Sequence, residues 1–204
     1  MRDVKTPQVR RAEIMAAAMK VFHEKGYLKT RTQDIINEAG ISRGLLYYHF
    51  KDKEDILYCL IEKYSEPLLQ QLKEISQQED LPVLEKLRLF MDATMISESS
   101  LTQENKTLQN TVHLDANRYL LDRFCHKLCR QMTVYFTNIL EEGRAQQLFH
   151  LERPKETATF LMTAYVFVSN DAKIQSQSEQ EMVQYLAAYK RLLARTLEID
   201  ENDL

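Results

Sequence analysis

Basic and aromatic residues alternate over a short stretch after Ser42, and these residue types can bind a polyanion. Arg43 can pair with a guanine edge in the DNA major groove or hold a phosphate. Tyrosine hydroxyls and the Lys53 ammonium suit phosphate oxygens, which position a protein on DNA without reading its sequence. The alternative is that Tyr47 and Phe50 pack on a neighbouring helix and that the charges are merely solvated. The density of the cluster favours DNA binding by this stretch, which contains Arg43, Gly44, Leu45, Tyr47, Tyr48, His49 and Lys53, with Lys51 between them.

A second group of residues, two cysteines and a histidine, could bind a metal or sense thiol chemistry. Cys125 and Cys129 lie four residues apart, on one face of a predicted helix, with His126 between them. A zinc site takes four ligands, and only the distant His113 and His150 remain to complete one. We therefore expect buried apolar cysteines, no metal and no cofactor. The sequence also lacks a Ser-His-Asp order, a phosphate loop and an HExxH motif, so we do not expect an enzyme.

The DNA-binding stretch is part of a helix-turn-helix pattern at about residues 31–50. An apolar stripe predicts a first helix from Pro7 to Lys25, which a following glycine ends. A capping box of Thr30 and Gln33 predicts a short second helix that stops at Gly40. Two short helices separated by a small-residue turn are typical of helix-turn-helix proteins.

The third predicted helix begins after Ser42 and extends through Phe50. The Ser42 side chain can cap this helix, and the first amides of the helix can then face phosphate. Asp52 opens a fourth helix that runs to about Ser76. Pro67 lies inside the fourth helix, where its missing N–H and its ring predict a kink or a break.

Further capping residues and prolines predict five more helices after residue 80. One of them runs from Asp115 to Glu142 and is expected to end at Gly143 and to be the longest after the fourth. The last two run from about Pro154 to Asp171 and from Ser178 to Glu198. The final four residues are expected to fray. The other start signals are Pro82 and a capping box of Ser178 and Glu181.

Composition agrees with a helical chain. Only four glycines and four prolines occur among 204 residues, so loops must be short and an all-α fold of about nine helices is expected. Three cysteines are too few for a disulfide framework, which favours the reducing cytoplasm. Because we also predict DNA binding, we expect the protein to be associated with the nucleoid. No signal peptide and no apolar stretch of about 20 residues is present, so we expect no membrane partner.

The net charge of −3 is unevenly distributed along the chain. Residues 1–58 hold 11 basic and 8 acidic residues, whereas residues 59–204 hold 16 basic and 22 acidic ones. We therefore predict a basic DNA-binding domain at 1–58 and an acidic second domain at 59–204.

Many of these residues together resemble the tetracycline-repressor (TetR/AcrR) family of regulators. The resemblance covers about residues 7–60. It implies that Thr30, Arg31 and Thr32 meet DNA from the second helix, and that Ser42 joins the residues named above in the third. Arg31 stands where a second threonine is frequent, and Leu45 is apolar where many relatives are polar. The matching residues are Gly26-Tyr27, Thr30, Asp34-Ile35, Ala39-Gly40-Ile41-Ser42, Gly44, Leu46-Tyr47-Tyr48-His49-Phe50, Lys53-Glu54 and Ile56-Leu57.

The resemblance also implies that the last two helices form a homodimer, and the sequence supports this independently. These helices carry more apolar residues than one face can bury within a single small domain. About half of those residues could instead complete an intramolecular core. The helix-eight candidates are Phe160, Leu161, Ala164, Tyr165, Phe167 and Val168, and the helix-nine candidates are Met182, Tyr185, Leu186, Tyr189, Leu192, Leu193 and Leu197.

The middle helices are expected from the resemblance to enclose a pocket for a small-molecule effector. Aromatic and methionine side chains form adaptable apolar walls, although for each residue taken alone ordinary core packing is the simpler explanation. The candidates are Phe90, Met91, Met95, Tyr119, Phe124, Met132, Tyr135 and Phe136.

The function predicted from the sequence is ligand-responsive transcription regulation by a homodimer on a palindromic DNA operator, most often as a repressor. Two-fold symmetry sets two recognition helices about one DNA turn apart, ~34–36 Å. The alternative is a sequence-tolerant structural DNA-binding protein that has no effector.

Overall fold

The structure is a computed structural model that describes residues 6–94, 102–174 and 179–204. Within these ranges the chain is all helical, with no strand. The helices are α1 (Pro7–Lys25), α2 (Thr32–Ala39), α3 (Arg43–His49), α4 (Lys53–Gln77), α5 (Val83–Thr94), α6 (Gln103–Val112), α7 (Arg118–Ala145), α8 (Pro154–Ile174) and α9 (Glu179–Leu197). The predicted fold class is therefore confirmed for the described part of the chain.

The described residues form two compact units. The first contains residues 6–65 and 102–124, and the second contains residues 66–94, 125–174 and 179–204. Helices α4 and α7 each contribute residues to both units. The functional division predicted from the sequence, 1–58 and 59–204, stays a prediction.

Helix α1 begins and ends where its sequence signals predict. The Thr6 side chain accepts a hydrogen bond from the Val9 N–H, and Pro7 occupies the first helical position. One face of the helix is buried and forms part of the core of the first unit, with Ile14, Ala18 and Phe22 as its central residues. This helix therefore provides the support on which α2 and α3 pack.

Helix α2 begins one residue later than the predicted capping box implies. The Arg31 N–H donates to the Asp34 carboxylate at 2.8 Å, so Arg31 is the N-cap. The Thr30 hydroxyl instead donates to the Gly26 carbonyl at 2.9 Å. The carboxylate of Asp34 accepts the backbone N–H better than the Gln33 amide can, because it carries a full charge at the positive end of the helix.

Helix α4 continues past Pro67, so the break is wrong, whereas the kink that was the other possibility stays a prediction. Its start is capped as expected, since the Asp55 N–H donates to the Asp52 carboxylate at 2.8 Å. Ile61 before the proline and Leu72 after it are both buried, each within its own unit. Burial on both sides offsets the one backbone hydrogen bond that the proline cannot make.

Gly143 lies inside α7 and does not end it. A Cβ at this position would lie 2.2 Å from ring atoms of Phe149, which is fully buried in the second unit. The glycine is therefore required by close packing, and α7, at 28 residues, is longer than α4 at 25. Both sequence expectations for this helix are corrected.

The last residues of the chain are ordered, which corrects the expected fraying. Glu201–Asp203 forms a short 3-10 turn, and the Lys190 ammonium donates to the Leu204 carbonyl at 3.0 Å. The Leu204 side chain is buried. At the start of α9, the predicted cap Ser178 lies outside the described residues.

Candidate nucleic-acid interface

The turn between α2 and α3 has the geometry that a helix-turn-helix requires. Gly40 adopts a left-handed backbone conformation with φ of 60° and ends α2. The Ile41 N–H then donates to the Ile36 carbonyl at 3.2 Å. The Ser42 hydroxyl accepts from the Leu45 N–H at 3.2 Å and caps α3. The capping that the sequence predicts for Ser42 is confirmed.

The buried side of α3 fixes its orientation on the first unit. Leu46, in the middle of the helix, and Phe50, directly after it, are almost completely buried. The side chains on the opposite face are exposed, most of all Tyr48 at 76%. A short helix with one face anchored in this way presents its polar face outward.

We call the exposed polar face of α2 and α3 the recognition surface. Three of its side chains lie close together: the hydroxyls of Thr32 and Tyr47 are 3.4 Å apart, and the Arg43 guanidinium lies 5.6 Å from the Tyr47 ring centroid. The hydrogen bond with Thr32, and to a lesser extent Arg43, lowers the pKa of the Tyr47 phenol. The surface consists of Arg31, Thr32, Ser42, Arg43, Gly44, Tyr47 and Tyr48.

Two predicted DNA contacts, Thr30 and Lys53, have internal partners. Thr30 is only 2% exposed, and its hydroxyl is bonded to the chain itself. The Lys53 ammonium donates to the carbonyls of Tyr27 and Thr30, both at 3.1 Å, and lies 4.4 Å from the Tyr27 ring centroid. In this conformation both side chains are bonded within the chain, and their contact with DNA stays a prediction.

Leu45 and His49 lie at the edge of the recognition surface, and both are half-buried. Burial, followed by the charges of Arg11 and Arg10, lowers the pKa of His49 below its ordinary value. Without DNA its imidazole is therefore largely neutral near pH 7, and in this form His49 can meet DNA as a hydrogen-bonding group.

The sequence analysis missed Arg11, which contacts the end of α3. Its guanidinium donates to the His49 carbonyl and lies over the Phe50 ring. The available signal was its position three residues before Ile14, on the buried face of α1. That position predicts that the stem of Arg11 packs inward, but it does not reveal the partner of the charged group.

Residues 14–58, which include the whole helix-turn-helix, match the family model described as bacterial regulatory proteins, tetR family. A curated relative, the transcriptional regulator TtgR of Pseudomonas putida, is 27% identical over 172 residues, 78% of this chain and 77% of the relative. Residues 14–58 therefore carry the helix-turn-helix of the TetR family. DNA-binding transcriptional regulation is the function class that these matches support.

Other transcriptional regulators match the chain locally or over the whole fold. The regulator HbdR of Aromatoleum sp. is 43% identical over 60 residues, but this covers only 29% of the chain and 26% of HbdR. A TetR-family regulator of Pectobacterium atrosepticum is 25% identical, with a TM-score of 0.66, over 94% of this chain and 95% of that one. SmeT of Stenotrophomonas maltophilia shares the fold at 23% identity, with a TM-score of 0.60 over 92% of this chain and 88% of SmeT.

The predicted effector-binding residues are divided between the two units. Phe90, Met91, Met132 and Phe136 are buried in the second unit, where the rings of Phe90 and Phe136 lie 5.2 Å apart, and Tyr135 is half-buried there. Phe124 is half-buried and Tyr119 is exposed, and both lie in the first unit. Met95 lies outside the described residues. Their role in effector binding stays a prediction.

The predicted dimer residues separate into a buried set and an exposed set. Leu161, Tyr165 and Leu193 are buried within the single chain, and the half-buried Tyr189 donates its hydroxyl to the Leu161 carbonyl at 3.0 Å. These residues pack α9 on α8. Leu186 is half-buried, and the side chain of Met182 is outside the described set. The exposed members are Phe160, Ala164, Val168, Tyr185 and Leu192.

The two cysteines of α7 are packed in the protein interior. Cys125 and Cys129 are both buried, and the Cys129 thiol lies 3.9 Å from the Met162 carbonyl. Burial raises the pKa of Cys129 to about 11, so this thiol is almost fully protonated near pH 7. Among the residues that the structure describes, no group of three or more His, Cys, Asp and Glu side chains could hold a metal. No described helix has the length and apolar character needed to cross a bilayer.

Proposed function

We propose that this chain is a homodimeric transcriptional repressor that binds a palindromic operator and is released from it by a small-molecule effector. The observation that carries the proposal is the recognition surface, on which basic, hydroxyl and aromatic groups stand exposed on a buried apolar base. Arg43 lies in the first turn of α3, and the N-terminal part of a recognition helix is the part that reaches base edges in the major groove. Arg43 is the proposed base-reading residue.

The neighbours of Arg43 support a positioning role. Ser42, Tyr47 and Tyr48 carry exposed hydroxyls that suit phosphate oxygens on either side of the groove. Tyr47 also lies between Arg43 and Thr32, so its ring and hydroxyl restrict the guanidinium before DNA arrives. An arginine that is already restricted loses less conformational freedom on binding.

Dimerisation is supported by the exposed apolar side chains of α8 and α9. Phe160, Ala164 and Val168 follow one another at intervals of four residues, so they form a single stripe along α8. Tyr185, Ala188 and Leu192 form the matching stripe on α9. We call these six residues the outer face, and a second copy of the chain is its proposed partner.

The proposed effector acts through the second unit. Its candidate contacts are the aromatic and methionine side chains of α5 and α7 in that unit, led by Phe90, Met132 and Phe136. Helix α4 contributes to both units, with Pro67 two residues from the boundary, so a shift of this helix is the proposed route to the recognition surface. A change from 1% to 99% released requires about 5.5 kcal/mol of difference in effector affinity between the two states.

Two similar proteins support the repressor assignment. KstR2 of Mycolicibacterium smegmatis, 27% identical over 70% of this chain and 69% of that relative, is described as a transcriptional repressor. SmeT is described as the repressor of a multidrug efflux pump. We therefore propose that this chain represses transcription. Genomic footprinting identifies the genes that it controls.

Footprinting across the genome tests the proposal against its alternative. A few protected palindromes beside promoters, together with increased transcription of the adjacent genes on deletion, support a repressor. Uniform coverage without a shared sequence would instead indicate a structural DNA-binding protein.

Effector release is tested on a protected palindrome in vitro. A library of aromatic and aliphatic organic compounds is screened for an increase in melting temperature, and each hit is titrated into the protein–operator complex in a gel-shift assay. The proposal requires at least one compound that both stabilises the protein and releases the DNA. Stabilising compounds that leave operator affinity unchanged would contradict effector control.

A further inference from the structure

We infer that Arg11 of α1 is a positioning residue for DNA recognition, because it holds the C-terminal end of α3 in place without belonging to the recognition surface. The inference rests on the proposed use of α3 to read the operator. It adds Arg11 of α1 to a DNA-binding role that otherwise involves only the residues of α2 and α3.

Arg11 makes three contacts with its guanidinium, all within the first unit. One terminal nitrogen donates to the backbone carbonyl of His49, the last residue of α3. The other donates to the thiol sulfur of Cys59 on α4 at 3.1 Å. The plane of the group lies over the Phe50 ring, with its central carbon 4.2 Å from the ring centroid. One side chain therefore connects α1, the end of α3 and α4.

The end of α3 needs such a contact for two physical reasons. The last carbonyls of a helix have no partner within the helix, and they form its negative end, which a cation stabilises. In addition, α3 has only seven residues, too few to be stable without tertiary contacts. Holding the His49 carbonyl fixes the end of the helix opposite to the Ser42 cap.

The chemistry of arginine suits this position better than that of lysine. A guanidinium is planar, so it can stack on the Phe50 ring while its two terminal nitrogens point to separate acceptors. A lysine ammonium could reach one of these acceptors, but it cannot stack as a plane. We therefore expect Lys to restore only part of the effect of Arg11.

The same contacts distinguish Arg11 from an arginine that binds phosphate. Its guanidinium lies against Phe50, which is 1% exposed, and both of its terminal nitrogens donate to partners in the protein. Lys20 provides a matched control on the same helix, because its ammonium also contacts the helix-turn-helix, at the Glu38 carboxylate, but does so at the exposed surface. Arg11 and Lys20 each carry one positive charge, and each contacts one helix of the helix-turn-helix, α3 for Arg11 and α2 for Lys20.

The test compares Arg11→Gln, Arg11→Lys and Lys20→Gln with the unchanged protein. Operator affinity is measured by fluorescence anisotropy over a range of salt concentrations, on a palindrome selected by the unchanged protein. We expect Arg11→Gln to weaken binding about 10-fold or more, Arg11→Lys to weaken it about 3-fold, and Lys20→Gln to change it less than 2-fold. The slope of log affinity against log salt should stay the same in all three variants, since no phosphate contact is lost.

Hydrogen exchange measured without DNA gives a readout of position that is independent of the operator. In Arg11→Gln the amide of Phe50, which donates to the Leu46 carbonyl at 2.9 Å, should exchange faster, whereas buried amides in the middle of α1 should keep their rates. The titration of His49, followed by NMR, should move upward toward its ordinary pKa near 6.5 because one of the charges that lower it is gone. A purely global loss of stability would accelerate α1 and α3 together.

Three results would overturn the inference. One is operator affinity in Arg11→Gln equal to that of the unchanged protein, and another is a salt slope reduced by about 0.9, which would indicate a direct phosphate contact. The third is hydrogen exchange that accelerates equally in α1 and α3 of Arg11→Gln. If Arg11→Gln does not fold, the third result is instead an operator affinity of Arg11→Lys equal to that of the unchanged protein. If the unchanged protein selects no operator, the proposed function fails, but the exchange rates still decide whether Arg11 holds α3.

Discussion

The recognition surface and the outer face of α8 and α9 are both exposed, but they differ in chemistry. On the recognition surface the large exposed side chains are arginines and tyrosines, and the apolar residues Leu46 and Phe50 are buried beneath them. On the outer face the exposed side chains are themselves apolar, and Phe160 reaches 78% exposure. The first pattern suits a hydrated polyanion, whereas the second suits a partner that removes the surface from water.

The comparison shows why net charge alone is a poor guide to this protein. The acidic total of −3 argues against a DNA partner, yet the exposed groups of α2 and α3 are basic or neutral hydrogen-bonding groups. Similarly, the apolar content of α8 and α9 says little until the buried members, such as Leu161 and Leu193, are separated from the exposed ones. What each region binds is determined by the residues left exposed.

The largest expected effect is on the outer face. Phe160→Glu should weaken the dimer about 100-fold or more, because dimerisation would bury a carboxylate in an apolar interface. Sedimentation velocity over a range of protein concentrations measures the change. Thr159→Glu adds the same charge at an exposed neighbouring position and should change the dimer much less. Equal effects of the two substitutions would place the interface elsewhere.

A smaller but still large effect is expected at the base-reading position. Arg43→Ala should weaken operator binding by about 1–3 kcal/mol, or about 5- to 150-fold, and should relax the preference at one base pair of each half-site. Binding to a set of single-base operator variants measures both effects. The dimer should be unaffected, and dissociation of the Arg43→Ala protein would show that α3 serves the interface instead.

Two glycines distinguish the regions by stability. Gly143→Ala should cost about 1–3 kcal/mol in the free energy of unfolding, because the new methyl group overlaps the buried Phe149 ring. Gly44→Ala adds its methyl group where no atom lies within 4 Å, so it should leave stability unchanged or raise it by about 0.5 kcal/mol. Urea denaturation measures both. Operator affinity should fall only for Gly44→Ala, since the methyl group stands between the helix and DNA; an unchanged affinity would mean that the α3 backbone does not approach the bases.

The smallest expected effect concerns the hydroxyl of Tyr47. Tyr47→Phe removes the hydrogen bond with Thr32 but keeps the ring beside Arg43, so operator affinity should fall only about 2- to 5-fold. In Tyr47→Ala, which also removes the ring, operator affinity should fall further. Titrations by anisotropy at one salt concentration compare the two, and equal losses would show that the ring does not position Arg43.

Local signals were sufficient to predict most of the helices from the sequence. A proline at the first position of α1, a glycine at the turn after α2 and a serine before α3 each act on the backbone next to them, so the pattern of residues reveals their effect. The start of α2 was misplaced because Thr30, Arg31 and Thr32 are adjacent candidates for the cap, and only the position of Asp34 decides among them.

Long-range packing accounts for what the sequence left undetermined. Gly143 has the appearance of a helix stop, and only its contact with Phe149 explains why the helix continues. The partners of Lys53 and Arg11 lie more than 20 residues away along the chain, so the sequence shows two cations without showing which of them are engaged internally. Likewise, the sequence shows which residues of α8 and α9 are apolar, but only the fold shows which of them are buried and which are exposed.

Selection of bound DNA from a random duplex library, followed by sequencing, tests the central claim most directly. A dimer with two recognition surfaces should enrich an inverted repeat whose half-sites are about one helical turn apart, ~34–36 Å. The Arg43→Ala protein should lose the preference at one symmetric pair of positions within that repeat. Enrichment of no sequence, or of a single site without two-fold symmetry, would contradict a dimeric reader of a palindromic operator.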